Sequence, residues 1–176
     1  KNSDEINALA RRLDGIAVAR TDLVKIVPPA GEAYDGLELM AWLATRPVGG
    51  TLAFCSGDAG SFPRLLAPAY GSPLVYAAPE PVAGVSLERA APGQLRASHV
   101  RAVWAGRPPS RTTPIAAVCG DPIGHSAGPV VHGAALRASG LDGVLVPVAA
   151  TPKAPLCLVS SPPMPPGAPP LAGLSV

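Results

Sequence analysis

Aromatic side chains make up only 4% of these 176 residues, charged ones 15%, and there are three cysteines. Each shortage excludes something. The net charge is only +2 and the basic residues are scattered, not interleaved with aromatics, so the chain has no nucleic-acid footprint. Cys55, Cys119 and Cys157 stand far apart without metal-ligand spacing, and an odd number argues against a disulfide framework. A reducing cytosol, hence a cytoplasmic protein, fits best. No apolar run is long enough to span a bilayer, and no positively charged leader precedes an apolar stretch, so no membrane partner is expected. The chain begins at Lys1 and stops at Val176 inside an apolar stretch, which reads as a piece of a longer protein and leaves a targeting segment upstream possible.

Alanine, glycine and proline are plentiful, as a GC-rich coding sequence would produce, and 48% hydrophobic residues suffice for a core. Residues 3–13 predict a helix with Ser3 as N-cap and acids in the first turn. A strand is expected at about 22–27, ended by Pro28-Pro29. Leu37, Met40, Ala41 and Ala44 recur at helical spacing within 33–46. Thr51–Cys55 predicts a strand, 62–70 a short helix, 73–78 another strand and 92–104 another helix with proline at its start. Strands alternating with helices imply an α/β fold with parallel pairing and helical crossovers, either an open sheet or the last part of a barrel.

Residues 106–113 are polar and Pro-rich and read as a linker. A second α/β pattern follows: strand 114–119, the loop Gly120–Ser126, a helix at about 128–139 and a strand at about 143–149. Eight prolines then fall within 151–170, which excludes a regular helix there. The expected domains are 1–105 and 114–176 around the linker, with 151–170 irregular.

Three residues could carry chemistry in the first half. Lys25 lies in Asp22-Leu-Val-Lys-Ile-Val27, a run that otherwise reads as a buried strand. A buried ammonium without a partner tends to neutralise, and a neutral lysine attacks carbonyls. The plainer alternative is a strand-end lysine whose ammonium reaches water along a buried stem. Arg64 alone would be a surface residue on a short helix, and Gln94 a first-turn residue after a tight turn. Their register joins them: each lies in or just after one of three consecutive strands, on the sheet edge where parallel α/β proteins build their sites.

The order Leu23-Val-Lys-Ile-Val27, Gly57-x-x-Gly60-x-x-x-Arg64-Leu65, Tyr70-Gly71-Ser72 and Ala91-Pro-Gly-Gln94 resembles the C-terminal half of type I 3-dehydroquinate dehydratase, over roughly residues 1–105. The resemblance implies the C-terminal part of a (β/α)8 barrel, supplying its last three βα units. It implies that Lys25 forms an imine with the C3 ketone of 3-dehydroquinate. Arg64 would pair with the substrate carboxylate and Gln94 would sit on a loop closing over it. It implies no cofactor and no metal. The family's general base, a histidine on an earlier strand, has no counterpart here: His99 falls in the last helix and reads as a surface or packing residue. Ala90 and Pro63 stand where the family usually has serine.

Val118-Cys-Gly-Asp-Pro-Ile-Gly-His-Ser126-Ala-Gly-Pro-Val-Val-His132, followed by 140–147, is similar to the start of shikimate dehydrogenase, and 171–176 resembles the strand before that family's catalytic lysine. This implies the start of a shikimate dehydrogenase-like substrate-binding domain. In that family two serines of a Ser-x-Ser motif hold the substrate carboxylate; here Ser126 is the first, and Gly128 replaces the second. His125 and His132 read as structural, His132 satisfying backbone groups near the helix start. The loop Gly120–Gly124 is not a dinucleotide fingerprint, and the NADP-binding domain of the family lies downstream. The tandem resembles the bifunctional shikimate-pathway enzyme that makes 3-dehydroshikimate and then reduces it. The alternatives are a dehydratase with a degenerate second unit, or a non-catalytic scaffold. The stretch 151–170 matches neither family, from a local frame slip or a divergent loop. The isolated fragment is expected to be inactive and to leave a sheet edge open.

Overall fold

In a computed structural model the described residues are 4, 8, 11, 23–83, 89–149, 168–169 and 171–175. Of the predicted first helix only Asp4, Ala8 and Arg11 are described, and these are helical and exposed. The Pro-rich stretch lies outside the described residues apart from 168 and 169.

The first sheet pairs β1 (Val24–Ile26) with β2 (Thr51–Ala53) in parallel, with Lys25 opposite Leu52. Pro28 and Pro29 cannot donate, yet the two chains stay together through carbonyls and the partner strand's donors: Ser56 N donates to Pro28 O at 2.9 Å and Ala30 N to Ser56 O at 3.0 Å. The other edge of β1 is unpaired among the described residues, and Leu23 and Val27 beside it are exposed.

Helix α1 (Ala33–Ala44) connects the two strands. It begins with a capping box, in which the Asp35 carboxylate accepts from the backbone N–H groups of Gly31 and Glu32 at 2.8 and 3.0 Å. Its buried face runs through Ala33, Gly36, Leu39, Met40 and Leu43, rotated from the expected Leu37–Ala44 stripe, in which Leu37, Ala41 and Ala44 are only half-buried. Gly36 causes the rotation. A Cβ there would lie 2.7 Å from the Pro63 ring and 2.9 Å from Phe62, so the helix can lay its backbone on α2 (Phe62–Leu66) only through glycine. Every residue of α2 is buried, and a 3-10 turn at Ala67–Tyr70 continues it to Gly71.

Two expectations need correction. Residues 73–78 do not form a strand; only Ala78 pairs, as an isolated bridge with Arg96. Pro73 withholds a donor and the Ser72 hydroxyl takes the Leu74 carbonyl at 2.9 Å, so the first ladder groups are spent locally. The helix expected at 92–104 starts at Ala97 (α3, Ala97–Val103). Before it, Pro92-Gly93 makes a turn, and the Ala78 bridge uses Leu95 O (2.8 Å) and Ala97 N (2.9 Å), which fixes an extended approach to the helix.

In the second unit β3 (Ile115–Gly120), α4 (Gly128–Ala138), β4 (Val144–Ala149) and β5 (Leu171–Ser175) form a parallel sheet in the order β4-β3-β5. Burial alternates strictly along β3 and β4, with Ile115, Ala117, Cys119, Val144, Val146 and Val148 turned inward. These residues join Leu39, Met40, Leu65 and Val103 in one continuous apolar cluster, so the two units share a core. The stretch 106–113 is tied down, since Asp142 accepts from Thr113 Oγ1 and pairs with Arg107, both at 3.1 Å. No helix of the described residues is long and apolar enough to cross a membrane.

Cys55 is fully buried, and burial, then the neighbouring Asp35 charge, push its thiol up to about 12 against a smaller opposing pull from Arg64. Burial also raises Cys119. Thiolates are the nucleophiles. Iodoacetamide at pH 8 should therefore leave both unmodified in the native protein and alkylate both in denaturant, as read by peptide mass; rapid native labelling of Cys55 would contradict this packing.

Candidate active site

Three backbone segments, 28–30, 56–60 and 90–94, meet beyond the C-terminal ends of β1 and β2. The turn after β2 requires glycine twice. Gly57 has φ +88°, and a Cβ at Gly60 would lie 2.5 Å from the Cys55 side chain and 2.8 Å from Ser56 O. The Ala90–Gln94 turn presses onto the same place. Gly93 has φ +71°, and a Cβ on it would lie 2.1 Å from Gly57 O, so any side chain is excluded by contact as well as by conformation. Gly57 N donates to Pro92 O at 3.3 Å, locking the two turns.

Arg64 lies beneath this lock. It is 2% exposed, its Nη2 is 3.5 Å from Pro92 O, and its Cζ lies 4.1 Å from the centre of the Phe54 ring. Its Nε is buried with no hydrogen-bond partner. Burial lowers its pKa. A buried guanidinium that is this poorly satisfied is costly unless an acceptor arrives, and its planar fork suits a carboxylate.

Lys25 is exposed, so the desolvation argument drawn from the sequence does not hold for it. It lies on aromatic rings instead. Its Nζ is 4.4 Å from the centre of Tyr76 and 5.9 Å from that of Phe54, and the two rings meet edge to face at 6.2 Å. Phe54 thus touches both cationic side chains, and Lys25 and Arg64 are brought to one ring. Sequence reasoning singled out neither Phe54 nor Tyr76. In a chain with 4% aromatics, two rings at the ends of consecutive apolar runs were the signal available.

Gln94 is buried and faces its own turn, its Oε1 accepting from Ala90 N at 2.9 Å. Its turn reaches Arg64 through Pro92 O. Ser126 belongs to the other sheet, in the loop between β3 and α4 that includes the cis Asp121–Pro122 bond, and its Oγ accepts from Gly128 N at 3.3 Å. The structure does not join it to the Lys25 group. His132 Nδ1 lies 2.8 Å from Gly128 O, a local bond near the start of α4. His99 is half-buried in α3, its pKa lowered by burial and then by Arg89. Among the described residues no group of His, Cys, Asp or Glu could hold a metal ion.

Replacing Gly93 by alanine should cost about 1–3 kcal/mol, because the left-handed backbone and the Gly57 carbonyl both oppose the methyl group. Urea unfolding measures it; an unchanged midpoint would mean the two turns are not in contact.

The sequence pattern of the family described as Type I 3-dehydroquinase matches residues 1–106. A curated 3-dehydroquinate dehydratase from Pyrobaculum aerophilum is 44% identical over 84 residues, covering 46% of this chain and 24% of that protein. The chain therefore spans about a quarter of that relative's length. A solved structure described as dehydroquinate dehydratase and shikimate dehydrogenase from S. pombe AroM is similar over 81% of this chain and 26% of its own, with 21% identity and a TM-score of 0.39.

Proposed function

The chain belongs to the type I 3-dehydroquinase family, and on that premise we propose that residues 1–105 are the C-terminal part of a (β/α)8 dehydratase barrel, which converts 3-dehydroquinate to 3-dehydroshikimate in the full-length protein. The observation that supports this reading is Phe54, just after β2, whose ring lies near both the Lys25 amine and the Arg64 guanidinium.

Lys25 Nζ adds to the C3 ketone and water leaves, giving an iminium. The iminium draws electron density from C2, whose proton passes to a base supplied from outside this chain's first half. The resulting enamine expels the C1 hydroxyl, which leaves as water by taking a proton back from that base, and hydrolysis of the conjugated iminium releases 3-dehydroshikimate and returns the lysine. Arg64 binds the substrate carboxylate. Because Arg64 is only 2% exposed, the carboxylate must displace Pro92 O, so the turn carrying Gln94 shifts as substrate enters and closes over it. Each step is acid–base or addition chemistry and needs no cofactor.

Residues 114–176, joined through 106–113, are proposed as the start of a shikimate dehydrogenase-like substrate-binding domain, with Ser126 contributing to carboxylate binding and NADP serving the reduction. The loop between β3 and α4 does not itself suit the dinucleotide: Gly128 N is already given to Ser126 Oγ and Pro129 has no N–H, so the helix start offers a pyrophosphate few donors. A dehydratase whose second unit is degenerate is the competing reading. It is favoured by Gly128, which leaves Ser126 as the one hydroxyl of that motif. Separate assays of the full-length protein for dehydration and for NADPH-dependent reduction distinguish the two.

Sodium borohydride added with 3-dehydroquinate should fix the reduced adduct's mass on the Lys25 peptide. Lys25→Arg should abolish the adduct and lower kcat at least about 1000-fold. No adduct in the wild-type protein would favour a scaffold without catalysis. Arg64→Ala should raise KM roughly 10- to 100-fold, the worth of a charge-assisted pair, and steady-state kinetics reads it.

A further inference from the structure

Trp104 follows the last residue of α3, at the place where the two α/β units meet. Its indole Nε1–H donates to the Leu65 carbonyl at 2.9 Å. Leu65 is the neighbour of Arg64 in α2, which is only five residues long. A helix that short has little stability of its own, so its orientation depends on what binds and packs against it. Pro68, three residues beyond Leu65, has no N–H, so the 3-10 turn that continues the helix cannot supply the usual donor to that carbonyl. The indole does.

On its other side α3 is gripped by the second unit. A Cβ at Gly133 of α4 would lie 2.6 Å from Ala102 O and 3.0 Å from Val103 O, so the two helices touch backbone to backbone just before Trp104. The segment after it is held too, by the Arg107–Asp142 pair at 3.1 Å. The contacts are therefore unbroken from α4 to α3, to Trp104, to Leu65 and to Arg64.

We propose that Trp104 is a positioning residue for Arg64, and that through it the second α/β unit sets the orientation of the arginine in the first. The inference rests on the reading of Arg64 as the carboxylate ligand of a Lys25 imine site. It adds that this ligand is aligned from the neighbouring unit. The second unit would then matter to dehydration whether or not it reduces anything.

The test uses the full-length protein. Trp104→Phe keeps a ring and removes only the indole and its donor. It should raise KM for 3-dehydroquinate about five- to tenfold, the worth of one hydrogen bond, with kcat within about twofold. In an Arg64→Ala background the same change should leave KM where it was. Trp104→His, which returns a ring N–H, should recover part of the loss. Borohydride trapping of Lys25 by a cyclic ketone lacking a carboxylate should be equal in wild type and Trp104→Phe. Backbone amides of residues 64–67 should exchange faster in Trp104→Phe while those of β3 do not.

Equal KM effects with and without Arg64, a fall in kcat at constant KM, or unchanged exchange at 64–67 would each overturn the proposal. Failure of wild-type protein to trap any substrate at Lys25 is a separate failure, which removes the imine site itself and the role of Arg64 with it.

Discussion

Gly93 rests on the carbonyl of Gly57, and the site is arranged around that contact. It brings Pro92 O within reach of both Gly57 N and the Arg64 guanidinium, so one carbonyl ties two turns together and caps a buried cation. It also fixes the Ala90–Gln94 turn, closed by the Gln94 side chain on Ala90 N, and the extended run that pairs with Ala78 and leads into α3. A side chain at Gly93 would push against the Gly57 carbonyl and so strain the contact that sets Pro92 O over the arginine.

The electrostatics follow from that geometry. Arg64 is paid for in the resting protein by a long hydrogen bond and the face of Phe54, while its Nε has no partner. Such a group is poised for an anion, since a carboxylate supplies two acceptors where one weak one exists. Lys25 reaches the same ring from the solvent side and leans on Tyr76. The proposed substrate, with a ketone and a carboxylate, would bridge this amine and this guanidinium. The rings touch the cations without competing for either group's hydrogen bonds.

Much of this was legible in the residues. Strands β3 and β4 and helix α4 lie within a residue of their expected bounds, because alternation and a Gly-Pro helix start are local signals. The expected register of Lys25, Arg64 and Gln94 on three consecutive strands does not hold, since only β1 and β2 form the first sheet and Gln94 lies on a turn. What failed depended on distant partners. The strand expected at 73–78 rested on the apolar run Leu74-Val-Tyr76-Ala-Ala78, yet Pro73 and the Ser72 hydroxyl spend its first ladder groups. The buried face of α1 was set by Gly36 meeting Phe62 and Pro63, a contact no periodicity reveals. Lys25 sits in an apolar run, yet it is exposed while its neighbour Ile26 takes the buried face of β1. Phe54 and Tyr76 were not singled out from the sequence, and only the fold places Lys25 on both rings and Arg64 on Phe54. The Trp104–Leu65 hydrogen bond joins residues 39 apart in the chain and could not have been read from spacing.

The central claim is that one substrate spans Lys25 and Arg64 across Phe54. A crystal structure of the full-length protein after borohydride reduction with 3-dehydroquinate tests it most directly. The account predicts a single bond from Lys25 Nζ to the former ketone carbon, with the ligand carboxylate hydrogen-bonded to Arg64 in place of Pro92 O. A carboxylate pointing to solvent or bound by other side chains, with Arg64 still on Pro92 O, would contradict it.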